Sequence, residues 1–373
     1  MSKWKTVRLG DVCEIQSGGT PSRSKIEYWK NGNIPWVKIG DFSGKYLEKT
    51  SEFITQQGLD NSSAKLFSKG TILYSIFATL GEVSILNIDA TTNQAIAGIK
   101  LRNESEINID FFYLYLKSLK DEVNRIGRGV AQNNINLSIL KNFIIPLPPL
   151  ETQKQIAAVL DKCTSFISKY KKMLEKYDTL IKSRFIEMFG DPIQNPMGWE
   201  IVPFSEVIEY MGDIGSNGAN QTIVAHLDMT STENYALMVR FLNFTNNDFT
   251  NDVKYISEAS YNFFKKSKIY GGELIFCKIG SAGLNYIMPF LNRPVSLGLN
   301  QIMTRVNDKI KMAYLYQYLN SDYGKYLISQ RVQGAVTKSI TKTALKEMPI
   351  VLPPLSLQND FAAFVQQIDK SKF

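Results

Sequence analysis

The chain has 373 residues, 44% hydrophobic and 21% charged, a globular composition with material for two or three cored domains. Lys and Arg outnumber Asp and Glu by 43 to 35, a net charge of +8 that suits a polyanionic partner without naming one. One histidine and three dispersed cysteines cannot furnish a zinc finger, and no apolar run nears the roughly 18 residues of a membrane span.

Met1 to Gly10, with Trp4-Lys5-Thr6-Val7-Arg8-Leu9-Gly10, alternates charged and apolar residues and reads as no apolar leader; this and reduced thiols fit a cytoplasmic protein. A Gly-rich loop, Gly18-Gly19-Thr20-Pro21-Ser22, is followed by apolar, β-branched runs at 34–39, 71–76 and 82–86 that read as strands between Gly, Asn and Asp. An amphipathic helix is expected over Ile109 to Asn124, then a basic, amide-rich loop from Arg125 to Asn134. Leu147-Pro148-Pro149-Leu150 opens a segment of another kind. There Ile156, Leu160, Cys163, Ile167, Tyr170, Leu174, Tyr177 and Ile181 recur at spacings of four and three, an a/d seam sustained over several heptads. The two prolines suit a helix's first turn, and Gly190 and Pro192 suit its end. A helix from Leu150 to Phe189 would be about 60 Å long, a strut rather than a core element.

The second half repeats the first. Trp199 answers Trp4, Gly272-Glu273-Leu274-Ile275-Phe276 answers Gly70 to Tyr74, and Gly283 answers Gly81. Asn300-Gln301 matches Asn93-Gln94, Tyr318-Leu319 matches Tyr115-Leu116, and Leu352-Pro353-Pro354-Leu355 returns intact, each Pro-Pro motif followed by a Gln (Gln153, Gln358). A second module helix is expected over Met312 to Ile328. Phe361, Val365 and Ile368 restart the seam in the register of Ile156, Leu160 and Cys163. Ordered landmarks of this kind mark a duplicated module. The expected division is a first recognition module at 1–148, a long helix at 149–190, a second module at 191–353 and a short distal helix at 354–373. The fold class is α+β: two similar β-rich domains joined by long coiled-coil-forming helices, with a pseudo-two-fold internal repeat.

Two β-rich modules, each closed by Leu-Pro-Pro-Leu, a Gln and a heptad helix, resemble the specificity subunit of type I restriction–modification systems. Gly18 to Ser22, Ile34-Pro35-Trp36-Val37-Lys38-Ile39-Gly40-Asp41 and Gly70 to Leu73 stand at family positions, and the resemblance covers nearly the whole chain. The second module lacks the Gly-Gly-Thr-Pro-Ser loop and offers Gly212 to Gly218 instead. The resemblance implies that each module reads half of a bipartite site in double-stranded DNA, and that the helices hold the readers apart. It implies no catalytic centre and no cofactor in this chain. Methyltransferase subunits would bring S-adenosylmethionine, and motor-nuclease subunits would bring ATP and Mg²⁺.

Arg, Lys, Asn, Gln and Ser in glycine-rich loops are the material of phosphate and base-edge contacts. The candidates are Gly19, Thr20, Ser22, Arg23, Lys25 and Lys38, with Arg125, Arg128, Gln132, Asn133 and Asn134, in the first module. In the second they are Asn217, Lys278, Arg331, Gln333, Lys338 and Ser339. The repeated Asn-Gln pairs read better as structural residues, and the repeated Trp4 and Trp199 as core-packing ones. Tyr170, Leu174, Tyr177 and Ile181 are expected to lack intramolecular cover, because the distal helix is short, and to associate with a methyltransferase helix or a second copy. A methyltransferase reading finds only Asn195-Pro196-Met197-Gly198, without the second Pro and the aromatic it needs. A nuclease reading finds only Asp252-Val253-Lys254, and a nucleotide-binding reading only Gly40 to Lys45, one residue short. A coiled-coil adaptor that binds protein alone would account for the helices but not for two loop-rich modules.

Overall fold

The computed structural model describes residues 4–103, 105–127 and 134–371. It divides into two compact units that meet in sequence between Lys169 and Tyr170, within the long helix Leu150–Phe189.

The first unit contains β1 (Lys5–Arg8), β2 (Cys13–Ser17), β3 (Ile34–Val37), β4 (Tyr46–Leu47), β5 (Glu52–Ile54), β6 (Ile72–Ser75), β7 (Val83–Leu86), β8 (Thr91–Thr92), β9 (Ile96–Leu101) and β10 (Ile144–Leu147). They form a five-stranded sheet in the order β2-β9-β6-β7-β4, a three-stranded sheet β5-β3-β8, and the antiparallel ribbon β1·β10. All four residues of β6 and of β7 are buried, so these strands carry apolar side chains on both faces, broken only by the buried Ser75 and Ser84. One face, carrying Ile72, Tyr74, Ile85 and Ile99, packs on helix residues Phe112 and Leu116. The other, carrying Leu73, Leu86 and Ile96, packs on Val37 and Leu47.

The second unit repeats this plan with β11 (Glu200–Pro203), β12 (Ile208–Gly212), β13 (Ala236–Val239), β14 (Lys254–Ile256), β15 (Lys268–Ile269), β16 (Leu274–Cys277), β17 (Asn285–Ile287), β18 (Val295–Leu297), β19 (Gln301–Val306) and β20 (Pro349–Leu352). Its sheets run β12-β19-β16-β17 and β14-β13-β18-β15, beside the ribbon β11·β20. A parallel pairing sits inside an otherwise antiparallel sheet in both units, β3 with β8 and β13 with β18.

Register corrects one sequence match. Ser75 faces Ile96 in the first unit, and its counterpart Cys277 faces Gln301 in the second. Gln301 therefore occupies the place of Ile96, and the Asn-Gln pairs sit two residues out of step. Both remain structural: Asn93 Oδ1 accepts the Ala95 N–H, and Gln301 Oε1 accepts the Gly298 N–H. Each expected module helix is two helices, Ile109–Ser118 with Lys120–Gly127 and Met312–Asn320 with Asp322–Ser329. At the second break Ser321 caps the new helix by accepting the Gly324 N–H, and a Cβ on Gly324 would meet Tyr318 O at 2.2 Å.

The glutamines after the Pro-Pro motifs are buried clamps. Gln153 accepts the Asn108 N–H and donates to Glu106 O and Pro148 O. Gln358 accepts the Lys311 N–H and donates to Lys309 O and Pro353 O. Each fastens the start of an arm helix to the start of a module helix.

The helix Leu150–Phe189 is continuous, and Gly190 leaves it at φ 75°. In the second unit Phe185 and Phe189 pack on Phe361 of the distal helix Leu355–Lys370, and Arg184 lies over Phe364. Contacts that advance along one helix as they recede along the other make the pair antiparallel. That direction overturns the expected exposure of Leu174, Tyr177 and Ile181, whereas Tyr170 is exposed as expected. Ile181 is buried and Tyr177 partly buried in the core that holds Phe361 and Ile368, Val365 packs against it, and Leu174 is half-buried. Ile156 is also half-buried, but Val159, Leu160, Phe166, Ile167 and Tyr170 are exposed. Cys163 lies exposed on this stripe, whereas Cys13 and Cys277 are in cores. Trp4, expected in a core, is 43% exposed; Trp199 is partly buried and held by Asn195.

Candidate nucleic-acid interface

In the first unit Gly18 and Gly19 are buried, and a Cβ on either would collide with neighbouring atoms, Thr92 Oγ1 at 1.9 Å and the Ser63 carbonyl carbon at 2.3 Å. These glycines seat the loop. Thr20 bonds Gln94, which ties the loop to the turn before β9. Exposure begins at Ser22, whose hydroxyl pairs with Ser24. The Arg23 guanidinium lies 3.6 Å from the centroid of Trp29 and 4.9 Å from that of Trp36, and it shares Glu52 with Lys38. The Lys38 hydrogen bond leads in holding the Glu52 carboxyl below the usual carboxylate range, with burial opposing and Arg23 assisting. Lys25 is fully exposed and donates to Tyr28 Oη. Arg125 is exposed on its helix, and Asn134 bridges Phe77. Arg128, Gln132 and Asn133 lie outside the described residues.

In the second unit Lys278, Gln333, Lys338 and Ser339 come together. Gln333 and Ser339 exchange backbone hydrogen bonds around a tip with Gly334 at φ 101°, and Ser339 also bridges Ile279. Gly280 N–H bonds Lys338 O, and Ile340 N–H bonds Lys278 O. Lys278 and Lys342 converge on buried Asp213, at 2.7 and 2.8 Å. Burial alone would raise that carboxyl, but the two ammonium groups bring it down to about 2. Arg331 donates to Leu327 O at 2.9 Å, so its guanidinium caps a helix end. Asn217 is engaged at both ends, donating to Ile214 O and Ser267 Oγ and accepting from Lys266 N. Base contact by Arg331 or Asn217 requires these bonds to open.

Sequence reasoning missed Arg240 and Lys342. Arg240 is the counterpart of Lys38: each follows the equivalent strand, β13 or β3, and each donates its own backbone N–H to a side-chain oxygen three residues on, Asn243 Oδ1 or Asp41 Oδ2. Each also reaches a carboxylate, Asp252 or Glu52. The strand match was a usable signal for Arg240. Nothing in the sequence links Lys342 to Asp213. The other partial motifs have structural uses: Asp252 pairs with Arg240, and Lys45 bridges Asp110 and Asp161. Among the described residues no cluster of three or more His, Cys, Asp or Glu side chains could hold a metal, and no helix is long and apolar enough to cross a membrane.

The chain matches the type I restriction modification DNA specificity domain twice, over residues 1–176 and 196–373. It belongs to that family. It is 26% identical to the type I restriction enzyme MjaIX specificity subunit of Methanocaldococcus jannaschii over 98% of this chain and 86% of that protein. It is 30% identical to the EcoR124I/EcoR124II specificity subunit of Escherichia coli over 43% of this chain and 40% of that one. The crystal structure of the type I S subunit from M. genitalium aligns with a TM-score of 0.58 at 16% identity, over 99% of this chain and 90% of that one. These relatives are specificity subunits of restriction enzymes, the non-catalytic component, and this chain is a non-catalytic member of the same family.

Proposed function

We propose that this chain reads the target of a type I restriction–modification complex, with module 1–148 recognising one half of a bipartite DNA site and module 191–353 the other. One observation carries the reading: two copies of one scaffold share their buried clamps but differ along their exposed basic edges. A duplicated scaffold with divergent edges suits two related but unequal half-sites. Arg23, Lys25, Lys38 and the basic, amide-rich segment from Arg125 to Asn134 serve the first edge; Arg240, Lys278 and the Arg331–Ser339 loop serve the second. The helices at 149–190 and 354–373 act as the spacer. The exposed stripe from Val159 to Tyr170 takes a methyltransferase helix or the arm of a second copy, since heptad faces of this length associate. The methyltransferase subunits bind S-adenosylmethionine, the motor-nuclease subunits bind ATP and Mg²⁺, and the complex works in the cytoplasm.

The test is to map methylated adenines in DNA from a host carrying this chain with its methyltransferase partner. A bipartite motif with a fixed unspecific spacer is expected. A continuous motif overturns the bipartite reading, and no motif at all overturns DNA reading and favours a protein-binding adaptor.

A further inference from the structure

We infer that one residue at the tip of an equivalent loop in each module, Phe77 in the first and Ile279 in the second, contacts the C5-methyl edge of a thymine in the major groove. The inference rests on the proposed DNA-reading function and names residues and a chemical group within it.

The two loops have one backbone. Gly81 N–H closes the first onto Ser75 O at 3.1 Å, and Gly283 N–H closes the second onto Cys277 O at 2.9 Å. Each is laced to the loop ahead of its Pro-Pro motif, Ile135 N–H to Ile76 O and Ile340 N–H to Lys278 O, both at 3.0 Å. The residue after each tip is left-handed, Ala78 at φ 62° and Gly280 at φ 89°. An alanine is disfavoured there, so the turn is held by its surroundings and the tip is aimed. Phe77 is 44% exposed and Ile279 is 38% exposed, although the strands they leave are wholly buried.

The chemistry around the tips points to DNA. Ile279 and Gly280 help line an open groove of about 470 Å³ with Arg240, Leu242, Leu299 and Asn300. Lys278 precedes the tip, and Lys338 is bonded to it through Gly280. Phe77 bridges Asn134 and Ile279 bridges Ser339, so an apolar tip stands beside a short polar side chain in both modules. In the second module an apolar tip on a basic edge matches what the major groove displays, since the thymine methyl is its apolar feature among hydrogen-bonding edges, and Phe77 takes the same place on the same loop backbone in the first. The tip differs, Phe against Ile, while the loop closure is kept. That is the pattern expected of a reader on a common frame.

The experiment uses the complex of this chain with its methyltransferase partner and duplexes carrying the mapped target. Each thymine of either half-site, on both strands, is replaced in turn by deoxyuridine, which lacks only the methyl group. One position in each half-site should lose about fourfold in affinity, the worth of one buried methyl. Phe77→Ala should abolish that loss in one half-site and keep it in the other; Ile279→Ala should do the reverse, so each half-site controls for folding of the other module. Phe77→Leu should retain the loss. A wild-type complex indifferent to every replacement, a half-site with no thymine on either strand, or variants that keep the full loss would each overturn the inference. A wild-type complex with no bipartite target at all would sink the function itself, and the inference with it.

Discussion

Asp213 is 5% exposed and receives both Lys278 and Lys342. A buried carboxylate is stable only while paired, and removing its charge leaves two ammonium groups facing a neutral amide. Asp213→Asn should lower the stability of the second unit by about 2 kcal/mol, read as a shift in its denaturant midpoint. The folded value of about 2 lies below the ordinary carboxylate value of 3.8. The stabilisation is therefore complete above about pH 4 and fades as pH falls toward 2. An acid titration of the wild type and Asp213→Asn should converge across that interval. The glutamine clamps are the second residue-scale device. Gln153→Ala or Gln358→Ala strands a buried N–H and two carbonyls, and should cost about 3 kcal/mol in thermal denaturation. The sequence displayed these glutamines as a repeated landmark, but their function was invisible there, because Glu106 and Asn108 come close only when the chain folds. The Asp213 cluster was hidden for the same reason, since its three members lie far apart in sequence.

At the scale of elements, strands and arm helix were legible because their signals are local. A run such as Ile72 to Tyr74 has no polar–apolar alternation since both sheet faces are covered, and the seam from Ile156 to Ile181 shows helical spacing directly. The breaks at Leu119 and Ser321 were not legible, because apolar spacing continues through them and tight packing at Gly324 enforces the second. Nor was the covered part of the seam, which depends on where along the arm the short distal helix packs. The same helix now allows a contrast. Phe361 is fully buried against Phe185 and Phe189, so Phe361→Ala should cost about 3–5 kcal/mol in denaturant unfolding. Ile167 is 58% exposed, and Ile167→Asp should change stability by no more than about 0.5 kcal/mol. It should nevertheless sharply reduce recovery of the methyltransferase subunit in a pull-down, if the stripe is its seat. Full recovery with Ile167→Asp and Leu160→Asp together would remove the stripe from the assembly.

At the scale of the molecule, duplication makes one chain carry its own comparison. Positions kept in both modules with buried bonds, such as Gln153 and Gln358, form the frame, and half-buried positions that differ on the same backbone, such as Lys38 and Arg240, can tune what each copy reads. The net charge of +8 then has a measurable consequence. Phosphate contacts release counterions, so affinity should fall linearly on a log–log plot against salt, with each neutralised phosphate contributing about 0.9 to the slope. Lys25 is exposed beside the first reading loop, and among the described hydrogen bonds its ammonium bonds only Tyr28 Oη. As a phosphate contact it should act without regard to sequence: Lys25→Ala should flatten the slope by about 0.9 and leave the methylation motif intact. A base-reading residue should behave oppositely, changing one position of one half-site and leaving the slope alone. Measuring slope and motif on the same Lys25→Ala complex separates the two roles. An altered motif with an unchanged slope would make Lys25 a reader, and the surrounding loop would then specify bases instead of anchoring the backbone.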